Sequence, residues 1–365
     1  MVHYSIFHDF RLLSFLIISS LLGLSSCGNE VTQKMETKGT ALGKMNEIVV
    51  IADEDIWEGA VGDTFRFYFE SAFPILPQPE PMFDLRHFTP GDLRAQPLRR
   101  ELRTYAILAD LSDLESPTTQ MVRKDVGAEK LDYGADDKFS SVGKDKWARG
   151  QLLIYLYGKD SKKLENAIKS SFSAAAKRIN QHDQKQLKAQ LYVDRVNKGI
   201  TAKVGERFGL DLQIPGDFVT ATSDVENNVL WVRKETKKAL LNMVFQTVPY
   251  TNEKQLSKQG IIDMRNKFGS TYVTAEKEDD VMVVHTKRLP VYEYSFNLDN
   301  KYGKELRGIW EMTESFAGGP FNTYVILDEA KNRIIYIDAF ILGPGSKKRN
   351  LMMQLDHMVK TAKII

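Results

Sequence analysis

Four side chains near the ends of two predicted strands carry groups that bind ligands or transfer protons. Asp53, Asp55 and Trp57 follow the apolar run 47–51, and Asp110 ends a second apolar run. Paired carboxylates can bind a cation, orient a sugar hydroxyl or act as acid and base. In open α/β sheets, ligands bind outside the carboxyl ends of the strands. These four residues are therefore candidate ligand-binding residues, provided that the two strands are neighbours.

A structural interpretation of the acidic stretch stays open beside the ligand-binding one. The helix dipole stabilises carboxylates near a helix N-terminus, so a solvent-exposed capping turn explains the same residues. The stretch does not fit a calcium-binding loop, because Trp57 occupies the fifth position and no glutamate the twelfth. The histidines beyond the leader lack zinc-binding spacing, and there is no GxSxG motif. We therefore assign no catalytic residue, metal site or cofactor.

Two further segments have unusual composition. Residues 74–81, Pro-Ile-Leu-Pro-Gln-Pro-Glu-Pro, hold four of the twelve prolines, which predicts an extended piece outside any sheet. It is either a rigid crossing of the surface, a fixed lip of a cleft or a polyproline surface for a partner. Residues 343–349, Gly-Pro-Gly-Ser-Lys-Lys-Arg, precede the last predicted helix. Basic side chains at a helix N-terminus interact unfavourably with the helix dipole unless a negative group binds there. This segment is therefore either an exposed loop or an anion site.

The only cysteine, Cys27, follows an apolar leader. Residues 12–24 carry no charge and are preceded by Arg11, a stretch too short to span a bilayer but typical of a secretory signal peptide. The sequence Leu-Ser-Ser-Cys that ends at Cys27 resembles the lipobox of bacterial lipoproteins. This resemblance implies that residues 1–26 are a signal peptide and that the Cys27 thiol is acylated, which attaches the chain to a membrane. Residues 27–46 are polar and predict a flexible tether.

Composition and charge restrict the partners of the remaining chain. The formal net charge is only +2, with 42% hydrophobic and 27% charged residues, as in an ordinary globular protein. Nucleic-acid-binding proteins concentrate basic charge on one surface, so we expect no nucleic-acid partner. The expected membrane contact is the lipid on Cys27.

The chain divides into two halves that differ in their pattern of predicted strands and helices. Over 47–199, strand-like runs alternate with helical patterns, which predicts a layered α/β domain with some parallel pairing. Its last part shows two helical patterns, one through Leu164 and Ile179 and one through Leu187 and Val196. Over 200–365, seven strand candidates separated mostly by short polar turns predict a mainly antiparallel α+β domain. The expected fold class is thus α/β followed by an antiparallel α/β/α sandwich.

Several segments together carry a resemblance to a known family. The stretches IVVIADEDIWEG, FPILPQPEPMFDLR, KDKWARGQLLIYLYG, RGIWEM and FAGGPFNTYVI resemble uncharacterised lipoproteins of Bacteroidota bacteria that contain domain of unknown function 4837. The likeness extends over nearly all of 47–365 and implies no established activity. The run FGLDLQIPGDF with the strands after it is similar to the PsbP/Mog1-type sandwich, whose members are often non-catalytic binding or assembly modules.

These observations predict a lipid-anchored envelope protein. Gly28 is not the aspartate that retains enterobacterial lipoproteins at the inner membrane, so we expect the outer membrane, on its periplasmic face. We expect a non-catalytic binding or assembly factor that acts on envelope proteins or on a small ligand. The alternative is a carboxylate-dependent hydrolase or carbohydrate-binding protein that uses the acidic rim around Asp53.

Overall fold

A computed structural model describes residues 38–132, 139–275, 279–287 and 289–365. Cys27, the predicted signal peptide and residues 27–37 of the predicted tether lie outside the described residues. No helix in the described ranges is both long and apolar enough to cross a membrane.

The N-terminal domain is built on a five-stranded sheet whose strands are apolar and largely buried. In chain order the strands are β1 (Glu47–Ile51), β2 (Asp84–Phe88), β3 (Thr104–Asp110), β4 (Ser140–Lys144) and β5 (Leu152–Gly158). The order in the sheet is β2-β1-β3-β5-β4, with β4 antiparallel and the other pairings parallel. Continuous burial of β3 and β5 is typical of parallel strands covered on both faces. The predicted layered α/β arrangement is confirmed.

Helices cover both faces of this sheet. They are α1 (Glu54–Glu58), α2 (Ala60–Phe69), α3 (Pro90–Ala95), α4 (Pro117–Val126), α5 (Ala128–Asp132) and α6 (Ser161–Leu191). Phe65 and Phe69 of α2 join Leu164 and Ile168 of α6 in one core. Leu93 of α3 and residues of α4 and α5 form a second core on the opposite face.

The helix α6 joins the two domains. It is a single helix of 31 residues, whereas the sequence pattern predicts two, and Val196 lies beyond its end. Leu164 and Ile168 contribute to the N-terminal core, but Leu187 and Leu191 contribute to the core of the C-terminal domain. The prediction of two helices is therefore wrong, because each half of the apolar stripe packs on a different core within one continuous helix.

The C-terminal domain is an antiparallel sheet between two layers of helices. Its strands are β6 (Leu210–Asp211), β7 (Val219–Asp224), β8 (Val229–Glu235), β9 (Leu240–Pro249), β10 (Met282–His285), β11 (Tyr292–Leu298), β12 (Lys301–Met312), β13 (Gly318–Asp328), β14 (Arg333–Leu342) and β15 (Lys363–Ile364). The main sheet has the order β10-β12-β13-β14-β9-β8-β7, with β11 also paired to β12, and β15 pairs with β6. All of these pairings are antiparallel.

Three helices complete the C-terminal domain: α7 (Lys198–Phe208), α8 (Lys258–Tyr272) and α9 (Arg349–Lys360). Apolar residues of α7 and α9 share one core, and those of α8 lie in the core on the other face of the sheet. The predicted mainly antiparallel α/β/α sandwich is confirmed. Its first helix begins at Lys198, so the predicted division between residues 199 and 200 falls inside α7.

The last residues of the predicted tether are part of the N-terminal domain. The backbone N–H of Ala41 donates to Arg149 O at 2.8 Å, and that of Leu42 donates to Glu101 O at 2.7 Å. Asn46 is buried, and its backbone N–H donates to the Asp183 carboxylate at 2.8 Å. The prediction that the tether extends to residue 46 is therefore corrected. A polar composition does not prevent packing when long-range partners satisfy the backbone.

Candidate functional site

The structure brings Asp53 and Asp110 to the same edge of the sheet. Strands β1 and β3 are parallel neighbours, with Ile51 opposite Ile107, so their carboxyl ends lie side by side. The Asp53 carboxylate accepts hydrogen bonds from the hydroxyls of Ser116 and Thr118, the latter at 2.8 Å. Asp53 thereby fixes the start of α4 against the end of β1.

Asp110 is held in a comparable way. Its carboxylate accepts hydrogen bonds from the Ser161 hydroxyl at 2.6 Å and the Ser112 hydroxyl at 2.7 Å, and its backbone carbonyl accepts one from Thr119 at 2.8 Å. Burial would raise the pKa of Asp110, but the hydrogen bonds from Ser112 and Ser161 prevail and lower it. The carboxylate is ionised and fastens two loops to the strand end.

Asp55 and Trp57 do not extend this pair into a pocket. Asp55 is exposed. The Trp57 ring stacks on the His87 ring, with centroids 4.9 Å apart, and the Arg66 guanidinium lies 4.5 Å from the indole centroid. Contacts within the domain thus occupy the aromatic surface that a flat ligand would use. Of the four candidates, the structure places Asp53 and Asp110 together, but with their carboxylates engaged in structural hydrogen bonds.

A cleft of about 470 Å³ lies between the two domains. Its walls are α6 of the N-terminal domain, the segment 73–82, and α9 of the C-terminal domain. The apolar side chains that line it are Phe73, Pro74, Met82 and Met353. The polar side chains that line it are Asn46, Asn180, Gln184, Arg307, Asp356, His357, Lys360 and Thr361. Pro74 forms part of the rim, so the proline-rich segment is the lip of a cleft, one of the alternatives that its composition left open.

A network of charged and polar groups borders this cleft. The Asp356 carboxylate accepts hydrogen bonds from the Tyr324 hydroxyl, from the Asn322 amide and from Arg307 Nη2 at 2.7 Å. Arg307 also pairs with Glu305, and Lys360 Nζ lies 3.4 Å from the Glu305 carboxylate. Three donors thus fix Asp356 in one orientation.

Burial and neighbouring charges shift the pKa values of Arg307 and Tyr324 in this network. Burial alone would lower the pKa of Arg307, but Asp356 and Glu305 raise it above its ordinary value, so Arg307 stays charged. Burial, then the negative charges of Asp356 and Glu305, raise the pKa of Tyr324 well above its ordinary value. Tyr324 is therefore a neutral hydroxyl that donates to Asp356.

His357 connects the two domains across the cleft. Its Nδ1 lies 2.6 Å from Gln184 Oε1 on α6. Burial, reinforced by the positive charge of Lys188, lowers the pKa of His357, so the ring is neutral at neutral pH. In a neutral ring, the carbonyl-type oxygen of Gln184 requires the proton on Nδ1, which leaves Nε2 as a hydrogen-bond acceptor. Nothing in the sequence spacing of these residues indicates this contact.

Within the described part of the chain, no three His, Cys, Asp or Glu side chains gather closely enough to hold a metal ion.

Comparison with known families divides the chain where the structure does. Residues 197–361 match the family model of a domain of unknown function, DUF4837. The C-terminal domain is therefore similar to the DUF4837 family. Residues 41–192 match a different model, a second domain of unknown function, DUF8532. The DUF4837 match is therefore shorter than the resemblance over 47–365 implied, and no curated protein matches the chain.

Solved structures similar to part of this chain are distant. The Ran-binding protein Mog1p of Saccharomyces cerevisiae has 8% identity and a TM-score of 0.29, covering 43% of this chain and 90% of its own. LpqN of Mycobacterium tuberculosis, described as involved in cell envelope biogenesis, has 8% identity and a TM-score of 0.26, covering 42% of this chain and 82% of its own. The human StarD13 lipid transfer domain has 11% identity and a TM-score of 0.21, covering 45% of this chain and 93% of its own. These similarities are too low to carry an argument about function.

A carboxylate of the N-terminal domain caps the start of α9 in the C-terminal domain. Glu80 is buried, and its carboxylate accepts the backbone N–H groups of Lys348 and Arg349, at 2.5 and 3.1 Å. The Arg349 guanidinium donates to Pro81 O and to the Asp84 carboxylate, both at 2.6 Å. The negative group that the basic segment 343–349 requires is therefore Glu80 of the proline-rich segment.

Proposed function

We propose that this chain is a lipoprotein of a Bacteroidota bacterium, held at the periplasmic face of the outer membrane by acyl chains on Cys27. We further propose that it is a non-catalytic binding protein whose ligand occupies the cleft between the N-terminal and C-terminal domains. The lipobox and the apolar leader support the first statement. The cleft between the two domains is the observation that supports the second statement.

The cleft has the size and composition of a small-molecule site. Its volume of about 470 Å³ lies in the range of ligand pockets, roughly 300–1,000 Å³. Such sites combine an apolar surface with a few fixed polar groups, and this cleft is lined by the apolar Phe73 and Met353 and by the polar Asp356 and Gln184. Because both domains contribute, a bound ligand would contact both at once.

The polar groups of the cleft are arranged to hold a ligand in place. Asp356 is fixed by three donors, and Arg307 by Glu305 and Asp356. His357 is oriented by Gln184. Preorganised groups of this kind cost little conformational entropy when a ligand binds. The engaged carboxylates at Asp53 and Asp110 favour a structural role for the acidic rim, so the cleft is the better candidate site.

The proposal is tested by blocking the cleft. Ligands from a chemically diverse set of small molecules are found by thermal shift of the full-length protein and measured by titration calorimetry. The variant Asn180→Trp places a large ring in the cleft, and Gln181→Trp is the matched control, because Gln181 is exposed on the same helix and does not line the cleft.

Loss of binding in Asn180→Trp but not in Gln181→Trp is the expected result. The bound compound is then recovered and analysed by mass spectrometry, and we expect it unchanged. Ligands that bind equally to both variants would refute the cleft as the site, and a chemically altered compound would refute the non-catalytic part of the proposal.

A further inference from the structure

The charged groups of the network that borders the cleft are paired with one another. Arg307 and Lys360 carry two positive charges, and Glu305 and Asp356 carry two negative ones. Arg307 Nη2 lies 2.7 Å from the Asp356 carboxylate, and Lys360 Nζ lies 3.7 Å from it. His357 adds no charge at neutral pH, because burial lowers its pKa. A charged ligand would compete with these existing pairs, whose disruption leaves a desolvated charge without a partner.

The groups with unused hydrogen-bonding capacity are uncharged amides and an imidazole nitrogen. Among the residues that the structure describes, the Asn180 side chain has no hydrogen-bond partner, so its carboxamide offers two donors and an acceptor. Gln184 uses Oε1 for His357, and its NH₂ group has no partner in the described ranges. His357 Nε2 accepts. A ligand that satisfies this mixed set must itself both donate and accept, as hydroxyl groups do.

Four other side chains that line the cleft are apolar. Phe73 and Met82 come from the segment that precedes β2, Pro74 stands at the rim, and Met353 lies on the facing helix α9. A suitable ligand therefore has an apolar face as well as hydroxyl edges. A pyranose ring has this construction, since its axial C–H groups form an apolar face and its hydroxyls point outward along the edge.

We infer that the cleft binds an uncharged saccharide, with the sugar's C–H face against Phe73 and its hydroxyls on Asn180 and Gln184. This inference rests on the proposed function, because it names the ligand class of the same cleft. It differs from the sugar-binding alternative drawn from the sequence, which used the acidic rim around Asp53.

The experiment compares neutral sugars with charged counterparts of equal length. The full-length lipoprotein is kept in a detergent without sugar head groups. Maltotriose, mannotriose and N,N′,N″-triacetylchitotriose are the neutral probes. Trigalacturonate is the anionic probe, the deacetylated glucosamine trimer is the cationic probe, and trialanine represents peptides. Affinities are measured by titration calorimetry.

Two substitutions in the cleft and one control substitution test whether the measured binding occurs in the cleft. Asn180→Ala removes the unpartnered carboxamide, and Gln181→Ala is the matched control on the same helix. Loss of one or two neutral hydrogen bonds weakens binding by roughly three- to thirtyfold. Phe73→Leu keeps the wall apolar but removes the ring, and we expect it to weaken saccharide binding as well. Circular dichroism confirms that each variant is folded.

Three results are decisive. Tighter binding of a neutral trisaccharide than of the charged trimers, with weakening in Asn180→Ala and none in Gln181→Ala, supports the inference. Tighter binding of trigalacturonate or of the glucosamine trimer overturns it, as does failure of all three neutral sugars to bind. If trialanine alone binds and depends on Asn180, the saccharide inference fails while the proposed binding function of the cleft stands.

Discussion

Glu80 caps a helix that begins 269 residues later. Its Oε2 accepts a hydrogen bond of 3.1 Å from the backbone N–H of Arg349, the first residue of α9. The same helix carries Met353, Asp356 and His357 into the cleft. The contact therefore does more than join the domains: it fixes the direction of the helix that forms one wall of the candidate site.

We expect Glu80→Ala to destabilise the protein by about 1–3 kcal/mol, because two buried backbone N–H groups lose their acceptor and the helix dipole loses a negative charge. Chemical denaturation measures the change. Gln78→Ala is the control, since Gln78 is exposed in the same proline-rich segment. An unchanged free energy of unfolding in Glu80→Ala would contradict the capping role.

The shared helix α6 predicts that the two domains unfold together. Leu187 is 1% exposed and lies in the C-terminal core, although it belongs to the helix that also forms the N-terminal core. Leu187→Ala should cost about 2–5 kcal/mol and lower the stability of both domains. Gln190→Ala, at an exposed position of the same helix, should have little effect.

Domain-specific fluorescence measures this coupling. Trp57 and Trp147 lie in the N-terminal domain, and Trp231 and Trp310 lie in the C-terminal domain, so pairwise Trp→Phe replacement reports on each domain alone. We expect one common midpoint in urea for both probes, shifted equally by Leu187→Ala. Two separate midpoints, with only the C-terminal one shifted, would show that α6 does not couple the domains.

The buried pair of Arg265 and Asp338 predicts strong non-additivity. Arg265 Nε donates to Asp338 Oδ1 at 3.1 Å, and the two residues are 1% and 0% exposed. The Arg265 guanidinium also lies 4.0 Å from the centroid of the Phe321 ring. Removal of one partner leaves the other as an unpaired buried charge. Asp338→Leu should therefore lower the free energy of unfolding by about 3–5 kcal/mol.

The combined variant Arg265→Met with Asp338→Leu should be more stable than Asp338→Leu alone, because no unpaired charge remains in the core. A double-mutant cycle in urea measures the coupling. Additive losses from the two single substitutions would mean that the two side chains do not depend on each other.

Two histidines predict loss of stability in mild acid. Burial lowers the pKa of His182, aided by Arg103, and burial lowers that of His357, aided by Lys188. The unfolded chain, with an ordinary histidine pKa of about 6.5, then binds protons more readily than the folded chain. Their contribution to stability is complete above about pH 6.5 and is lost as the pH falls towards the lowered values of the folded state.

Denaturation at several pH values between about 7.5 and 5.5 measures this dependence. We expect the free energy of unfolding to fall over this range in the natural protein and to fall less in a variant with His182→Gln and His357→Gln. An equal slope in both proteins would assign the acid sensitivity to other groups.

The lipobox predicts membrane attachment through Cys27. We expect Cys27→Ser to move the protein from the membrane fraction to the soluble periplasmic fraction after cell fractionation, because stable attachment requires acyl chains. Ser26→Ala is the matched control, since it keeps a small residue at the cleavage position and should remain membrane-bound. Metabolic labelling with an alkynyl fatty acid should mark the natural protein but not Cys27→Ser, and labelling of the serine variant would contradict the assignment.

Local pattern in the sequence determined the class of each domain and the buried strands of the first half of the chain. The apolar runs 47–51, 104–110 and 152–158 are recognisable as buried strands, because burial on both faces demands side chains without charge. The short polar turns after residue 200 similarly indicated antiparallel strands. The sequence pattern did not predict α6 as one long helix, because its apolar stripe packs on one core in its first half and on the other core in its second half.

The tertiary structure alone decided the site. The sequence suggested Asp53 and Asp110 as ligand-binding residues. Their spacing did not predict that the hydroxyls of Ser116 and Ser161 donate hydrogen bonds to them. The cleft gathers side chains from 46 to 361, and the acceptor for Arg349 is Glu80. Periodicity reports what each segment buries, but a hydrogen bond between distant segments depends on where the packed domains place them. The sequence therefore indicated several strands and helices and a resemblance to a lipobox, and only the packed chain established which residues meet.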